Sequence, residues 1–93
     1  MIYAKRIKMK QGCRYSQNLL EIDMIYLEGE VDFPGYYKKE IIHDFLKENP
    51  GTIAVWRNPY PSIIPARSSR GEKYVRSSPN GFTRDNLLDL PRE

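Results

Sequence analysis

The sequence predicts a small α+β domain, a single sheet packed on one helix in the order ββαβββ, closed by a leucine-bearing turn at the C terminus. Three observations lead there. Residues 2 to 10 and 20 to 27 alternate apolar and polar side chains, as a strand with one buried face requires. From Tyr37 to Glu48 the apolar residues Tyr37, Ile41, Ile42, Phe45 and Leu46 recur at helical spacing, and the pattern stops at Asn49, Pro50 and Gly51. Beyond that stop the chain returns to short β-rich segments divided by Pro and Gly. In 93 residues there is material for one core and not two, so residues 1 to 93 are read as one domain.

The first strand sets Tyr3, Ile7 and Met9 on one face and Arg6, Lys8 and Lys10 on the other, with the alternation broken at Lys5. Gly12 opens a polar connection through Ser16 to Asn18. In the second strand Leu20, Ile22, Met24 and Tyr26 alternate with Glu21 and Asp23, until Ile25 and Leu27 make both faces apolar. Antiparallel pairing of the two would set Lys and Arg across from Glu21 and Asp23, worth about 0.2–1 kcal/mol per pair.

On the helix, Lys39, His43 and Lys47 recur on a side away from the apolar stripe, so His43 is expected in solvent. Thr52 to Trp56 is apolar and β-branched, fit for a buried strand, and Pro59, Tyr60 and Pro61 turn it. Residues 63–67 and 73–77 flank Ser68, Ser69, Arg70 and Gly71 as the arms of a hairpin. Pro65 has no amide proton to donate, which confines its arm to a sheet edge. Pro79, Asn80 and Gly81 turn the chain once more, and Thr83 caps a last turn whose Leu87, Leu88 and Leu90 dock on the core before Pro91.

Composition excludes several classes. One cysteine, Cys13, and one histidine, His43, rule out an internal disulfide and a Cys/His zinc site. Uninterrupted apolar runs do not exceed four residues, as at Met24 to Leu27 and Ile53 to Trp56. A membrane span needs about 20 apolar residues, so the expectation is a soluble cytoplasmic protein without an export signal. No cofactor motif is present, and no nucleophile is matched to a base. Cys13 beside Arg14 would have a slightly lowered pKa, yet only His43 could serve it. Glu28, Glu30 and Asp32 cluster without the spacing of a calcium loop.

The net charge of +3 is segregated. Residues 1 to 20 hold Lys5, Arg6, Lys8, Lys10 and Arg14 against no acid, whereas residues 21 to 50 hold eight acids against Lys38, Lys39 and Lys47. Residues 51 to 93 return to a basic balance, seven against four. Neutralisation between neighbouring strands explains such blocks, and so does a surface for phosphates.

The C-terminal residues Lys73, Tyr74, Val75 and Arg76, then Thr83, Asp85, Asn86, Leu87, Leu88, Leu90, Pro91 and Arg92, carry a resemblance. Ala4, Arg6, Ile7 and Met9 before a glycine, and the helix with Ile41, Ile42 and Phe45, extend it. The chain resembles a family of small, mainly bacterial proteins catalogued as domain of unknown function 3892. Many of its members carry a His-Glu-His-Ile stretch leading into the second strand, where this chain has Gln17, Asn18, Leu19 and Leu20. Metal or proton chemistry resting on those histidines is therefore absent here. The resemblance implies a bacterial or phage-type cytoplasmic protein and supplies no activity. Asp85 and Asn86 read as backbone-bonding devices beside leucines that seal the sheet.

Two functions are expected. The first is a non-enzymatic module, without cofactor, that binds a protein partner or a second copy through an exposed sheet face or the edge at Pro65. The alternative is a nucleic-acid-binding module in which Lys5, Arg6, Lys8, Lys10 and Arg14 meet phosphates and Tyr3 and Tyr15 stack on bases.

Overall fold

The computed structural model describes residues 1–79 and 84–93. Its strands are β1 (Ile2–Met9), β2 (Ile22–Gly29), β3 (Gly35–Lys38), β4 (Ile53–Val55), β5 (Ile63–Arg67) and β6 (Lys73–Ser77), and its helix α1 is Lys39–Glu48. Short 3-10 turns cover Leu19–Glu21 and Asn86–Asp89. The class is α+β. In place of the expected single sheet there are two, a four-stranded sheet in the order β3-β2-β1-β4 and the β5–β6 hairpin. Among the described residues, the backbone link between them is the isolated bridge of Ala54 with Ser62, which precedes β5. The cause is α1, which lies between the inner face of the large sheet and the hairpin and so needs a second layer to cover it.

The alternation of β1 breaks at Lys5 because Lys5 is a bulge: Ala4 pairs with Leu27 and Arg6 with Tyr26. An extra residue reverses the parity of a strand. Ile2, Ala4, Ile7 and Met9 consequently all point to the core, and Tyr3, expected beside Ile7, lies on the outer face. A second bulge at Asp23, between the pairs Lys8–Met24 and Met9–Ile22, does the same to β2. Ile22, Ile25 and Leu27 are buried while Met24 and Tyr26 turn outward. Lys10 lies across from Glu21, donating its amide to the Glu21 carbonyl at 2.8 Å, but its ammonium pairs with Glu72, and among the described residues neither Glu21 nor Asp23 forms an ion pair, so the expected ladder does not form.

Gly35 to Lys38 is a strand and not the start of the helix, paired with β2 through Tyr37–Ile25 and Tyr36–Tyr26. The helix itself is rotated from the expected stripe by roughly a quarter turn. Lys39, Ile42, His43 and Leu46 are buried, at the i, i+3, i+4, i+7 spacing of one face, while Ile41 and Phe45 are 59% and 39% exposed. His43, expected in solvent, is inside. Polar contacts with β6 explain the rotation. Lys39 Nζ lies 3.1 Å from a carboxylate oxygen of Glu72, Asp44 pairs with Lys73 at 2.8 Å, and His43 Nδ1 is 3.0 Å from the carbonyl oxygen of Tyr74. Because that carbonyl only accepts, His43 donates from Nδ1.

The hairpin forms as expected, with Ser68 and Gly71 closing its turn and Pro65 on a strand that, among the described residues, pairs only with β6. Of the later turn, Asn80, Gly81 and Thr83 lie outside the described residues. The final 3-10 turn is capped by Asp85, which accepts from the amides of Leu87 and Ser77 at 2.9 Å each, and Leu87, Leu88 and Leu90 are buried. The chain then closes on itself. Ile7 donates its amide to Pro91 at 3.0 Å and receives one from Glu93 at 3.1 Å, while Arg92 donates to the carbonyls of Arg14, Ser16 and Leu88. β1 is thus flanked by β4 along its first half and by the C-terminal residues along its second.

Two measurements probe this arrangement. Urea denaturation should show Gly29→Ala losing about 1–3 kcal/mol, since φ is +107° there and a Cβ would meet the Met1 carbonyl oxygen at 2.6 Å; Gly12→Ala, at φ +81° with open space around it, should lose about 1 kcal/mol. Glu72→Gln should cost about 1–2 kcal/mol by leaving buried Lys39 short of a counter-charge, whereas Lys39→Met, which removes the buried charge itself, should change stability by less than about 1 kcal/mol.

Candidate functional site

The outer face of the four-stranded sheet concentrates aromatic rings and cations. The two bulges make it so, because they send Tyr3, Arg6, Lys8, Met24 and Tyr26 to the same side. One row runs Arg6, Tyr26, Tyr36 across three strands, and the next runs Lys8, Met24, Lys38. The Arg6 guanidinium sits 5.3 Å from the centre of the Tyr26 ring, which meets Tyr36 edge-on at 5.2 Å. At the β4 side Trp56 stands edge-on between Tyr3, at 4.6 Å, and Tyr60, at 5.6 Å, with the Lys5 ammonium 4.8 Å from its ring. Trp56 and Tyr60 remain 47% and 51% exposed. Tyr60 reaches the cluster because the Pro59–Pro61 turn holds it at φ +59°.

The five basic residues singled out from the sequence are not all placed on one face. Lys5, Arg6 and Lys8 share this face. Lys5 is partly neutralised by Glu28 at 3.4 Å, while Arg6 and Lys8 are exposed with no carboxylate in ion-pair range among the described residues. Lys10 points instead to the hairpin and pairs with Glu72 at 3.1 Å. Arg14 lies in the connection after β1, exposed, beside the strongly exposed Tyr15 and away from the sheet rows. Lys38, Trp56 and Tyr60 were missed as members of the site. Their joining it depends on pairing β1 with β4 and β2 with β3, across distances along the chain that periodicity does not report.

Elsewhere several polar groups are committed to structure, although the buried His43 Nε2 has no hydrogen-bond partner among the described residues. Cys13 donates its thiol to Glu21 at 3.1 Å, and that hydrogen bond, with burial, pushes the thiol pKa up, the reverse of the lowering expected beside Arg14. Glu30 holds the Met1 amino group and Glu28 holds Lys5. No cluster of acids, His or Cys able to hold a metal ion occurs among the described residues. A cleft of mixed character is lined by residues 17–20 on one side and by Tyr74, Arg84, Asp85 and Leu88 on the other. The residues at which the histidine stretch is replaced therefore face the C-terminal motif, whose Asp85 spends both oxygens on backbone amides. No helix among the described residues is long and apolar enough to cross a membrane.

The profile of the family described as protein of unknown function (DUF3892) matches residues 29–91. The chain belongs to this family. The DUF3892 match takes in the helix, the hairpin and the C-terminal motif, together with Tyr36, Lys38, Trp56 and Tyr60 of the outer face. It begins after β1, so Lys5, Arg6 and Lys8 lie outside it. Neither the curated proteins nor the solved structures give a significant match.

Several carboxyls in this DUF3892 chain hold their protons less tightly than usual. Ser16 and Cys13 lower Glu21 by hydrogen bonds, Lys73 lowers Asp44, and Lys39 and Lys10 lower Glu72. For Lys39, burial disfavours the charge, yet hydrogen bonds to Glu40 and Glu72 outweigh it and leave the ammonium pKa above its ordinary value. A carboxyl lowered by folding leaves the unfolded chain to take up protons first as pH falls. That stability is complete above the ordinary carboxylate range and is lost as pH drops through the folded values. Thermal unfolding should accordingly give a level Tm between about pH 6 and 7 and a falling one below about pH 4.5, and Glu21→Gln should flatten part of the fall.

Proposed function

We propose that this chain is a non-catalytic binding module and that the outer face of its four-stranded sheet takes single-stranded nucleic acid. The observation that carries the reading is the interleaving of exposed rings, Trp56 and Tyr60 backed by Tyr3, with the exposed cations Arg6, Lys8 and Lys38 on one sheet face. Rings offer stacking surface to unpaired bases, and cations set along neighbouring rows meet the phosphates between them. A duplex hides its base faces, so single strands are the preferred form. We also read the module as a bacterial or phage-type cytoplasmic protein, as the family resemblance implies, and a single cysteine, which leaves no internal disulfide to form, is compatible with that.

A protein partner or a second copy added at a sheet edge is the other reading, supported by β3 and β5, each of which, among the described residues, pairs with a strand on one side only. Such a partner would leave the face rings untouched.

The single tryptophan makes the test direct, since Trp56 emission reports stacking at the face. Titration with single-stranded DNA or RNA at low salt should quench Trp56 and raise the anisotropy of labelled oligonucleotide with a Kd below about 100 µM, weakening steeply as salt rises. Lys8→Glu with Lys38→Glu should abolish binding, and Trp56→Ala should cost about 1–3 kcal/mol. Unquenched emission without binding at low salt, or binding that survives the double charge reversal, would overturn the reading.

A further inference from the structure

We propose that an apolar groove on the other side of the molecule docks a segment of a partner protein that presents apolar side chains flanked by Lys or Arg. The groove has a volume of about 310 Å³ and opens between the N-terminal end of β1, the loop after β2 and α1. Its floor is core: Ile2, Leu27, Ile42 and Ile53 are all buried. Its walls are Phe33, 78% exposed, and the two helix residues Ile41 and Phe45 that the rotation of α1 leaves outside. A groove of this size with apolar walls that stand in water is a site at which a partner's side chains gain burial without displacing native packing.

Charge selects the occupant. The charged side chains that line the groove are Glu30 and Asp32, with no Lys, Arg or His among them. Glu48 follows Ile41 and Phe45 on the same helix face and is exposed. Glu30 already binds a cation, the Met1 ammonium, whereas Asp32 is exposed and without an ion pair among the described residues. An acidic rim around an apolar floor attracts a basic, apolar segment and repels an acidic one or a nucleic-acid strand. The rim is also ordered before binding. Val31 donates its amide to Gly29 at 2.8 Å, and the Tyr37 hydroxyl donates to the Phe33 carbonyl, so little loop entropy is lost on docking. The site is separate from the outer sheet face in residues and in sign of charge.

The probe is a labelled model peptide of Leu and Lys, compared with its Leu and Glu counterpart, titrated onto the full chain and followed by anisotropy. Binding of the Leu/Lys peptide, weaker by about 10-fold or more for Leu/Glu, is the expected result. Phe33→Ser and Ile41→Ser, both at exposed positions that the fold does not need, should each weaken binding by about 5-fold or more, and Asp32→Lys by a similar factor with a smaller salt dependence. Oligonucleotide binding at the sheet face should be unchanged by all three, which separates failure of this site from failure of that one. No binding of the Leu/Lys peptide at millimolar concentration, equal binding of the two peptides, or indifference to Phe33→Ser and Ile41→Ser overturns the proposal. So does sedimentation showing a dimer that Phe33→Ser dissociates, because the groove would then belong to a second copy.

Discussion

The seam between α1 and β6 sets the arrangement of the whole molecule. Three neighbouring residues of the hairpin, Glu72, Lys73 and Tyr74, receive Lys39, Asp44 and His43 from the helix. Each contact is modest alone, and Lys39 would be costly inside without its carboxylates. Together they fix the rotation of the helix about its axis. Ile42 and Leu46 go to the core beside them, and Ile41 and Phe45 are left outside. The hairpin is held as a second layer by the same seam, so the division into two sheets and the exposure of the groove walls have one origin.

The bulges at Lys5 and Asp23 play the corresponding part in the large sheet. Each adds one residue to one strand and exchanges the faces of the residues beyond it. Without them Tyr3 would point inward with Ile7, and Ile22 would turn outward with Met24 and Tyr26. With them the inner faces of β1 and β2 carry no ring, Tyr37 of β3 being the aromatic residue of the sheet that packs inward, while Tyr3, Tyr26 and Tyr36 are gathered outside beside Arg6 and Lys8. Apolar residues are thus sorted by shape: branched aliphatics pack against the helix, and rings with polar tips take the face that meets water.

The two surfaces that result are opposite in character. One is open, aromatic and cationic, and the other is concave, apolar and acid-rimmed. Charge segregation along the chain, basic then acidic, maps in part onto these two sides, but the mapping is incomplete. Lys10 leaves the basic block to hold Glu72, and Glu28 leaves the acidic one to hold Lys5. On the two proposals made above, a small module with two such faces would join a nucleic-acid strand to a protein segment without chemistry at a reactive atom.

The sequence by itself determined the class, the positions of most strands, the end of the helix at Asn49, the hairpin around Ser68 to Gly71, and the roles of Asp85 and the leucines. These rest on local physics: turn residues, period and caps act within a few positions. The family was legible for the same reason, since its motif is contiguous. Tertiary structure alone decided which way α1 faces, that His43 and Lys39 are buried, that Gly35 to Lys38 is a strand, and that Lys38, Trp56 and Tyr60 join Arg6 and Lys8. A helix with polar residues on its core side looks inverted until the partners of those residues are in place, and a bulge shows in sequence only as a flaw in alternation. The partners here are 29 to 33 residues away along the chain, and only folding brings Glu72, Lys73 and Tyr74 to the helix.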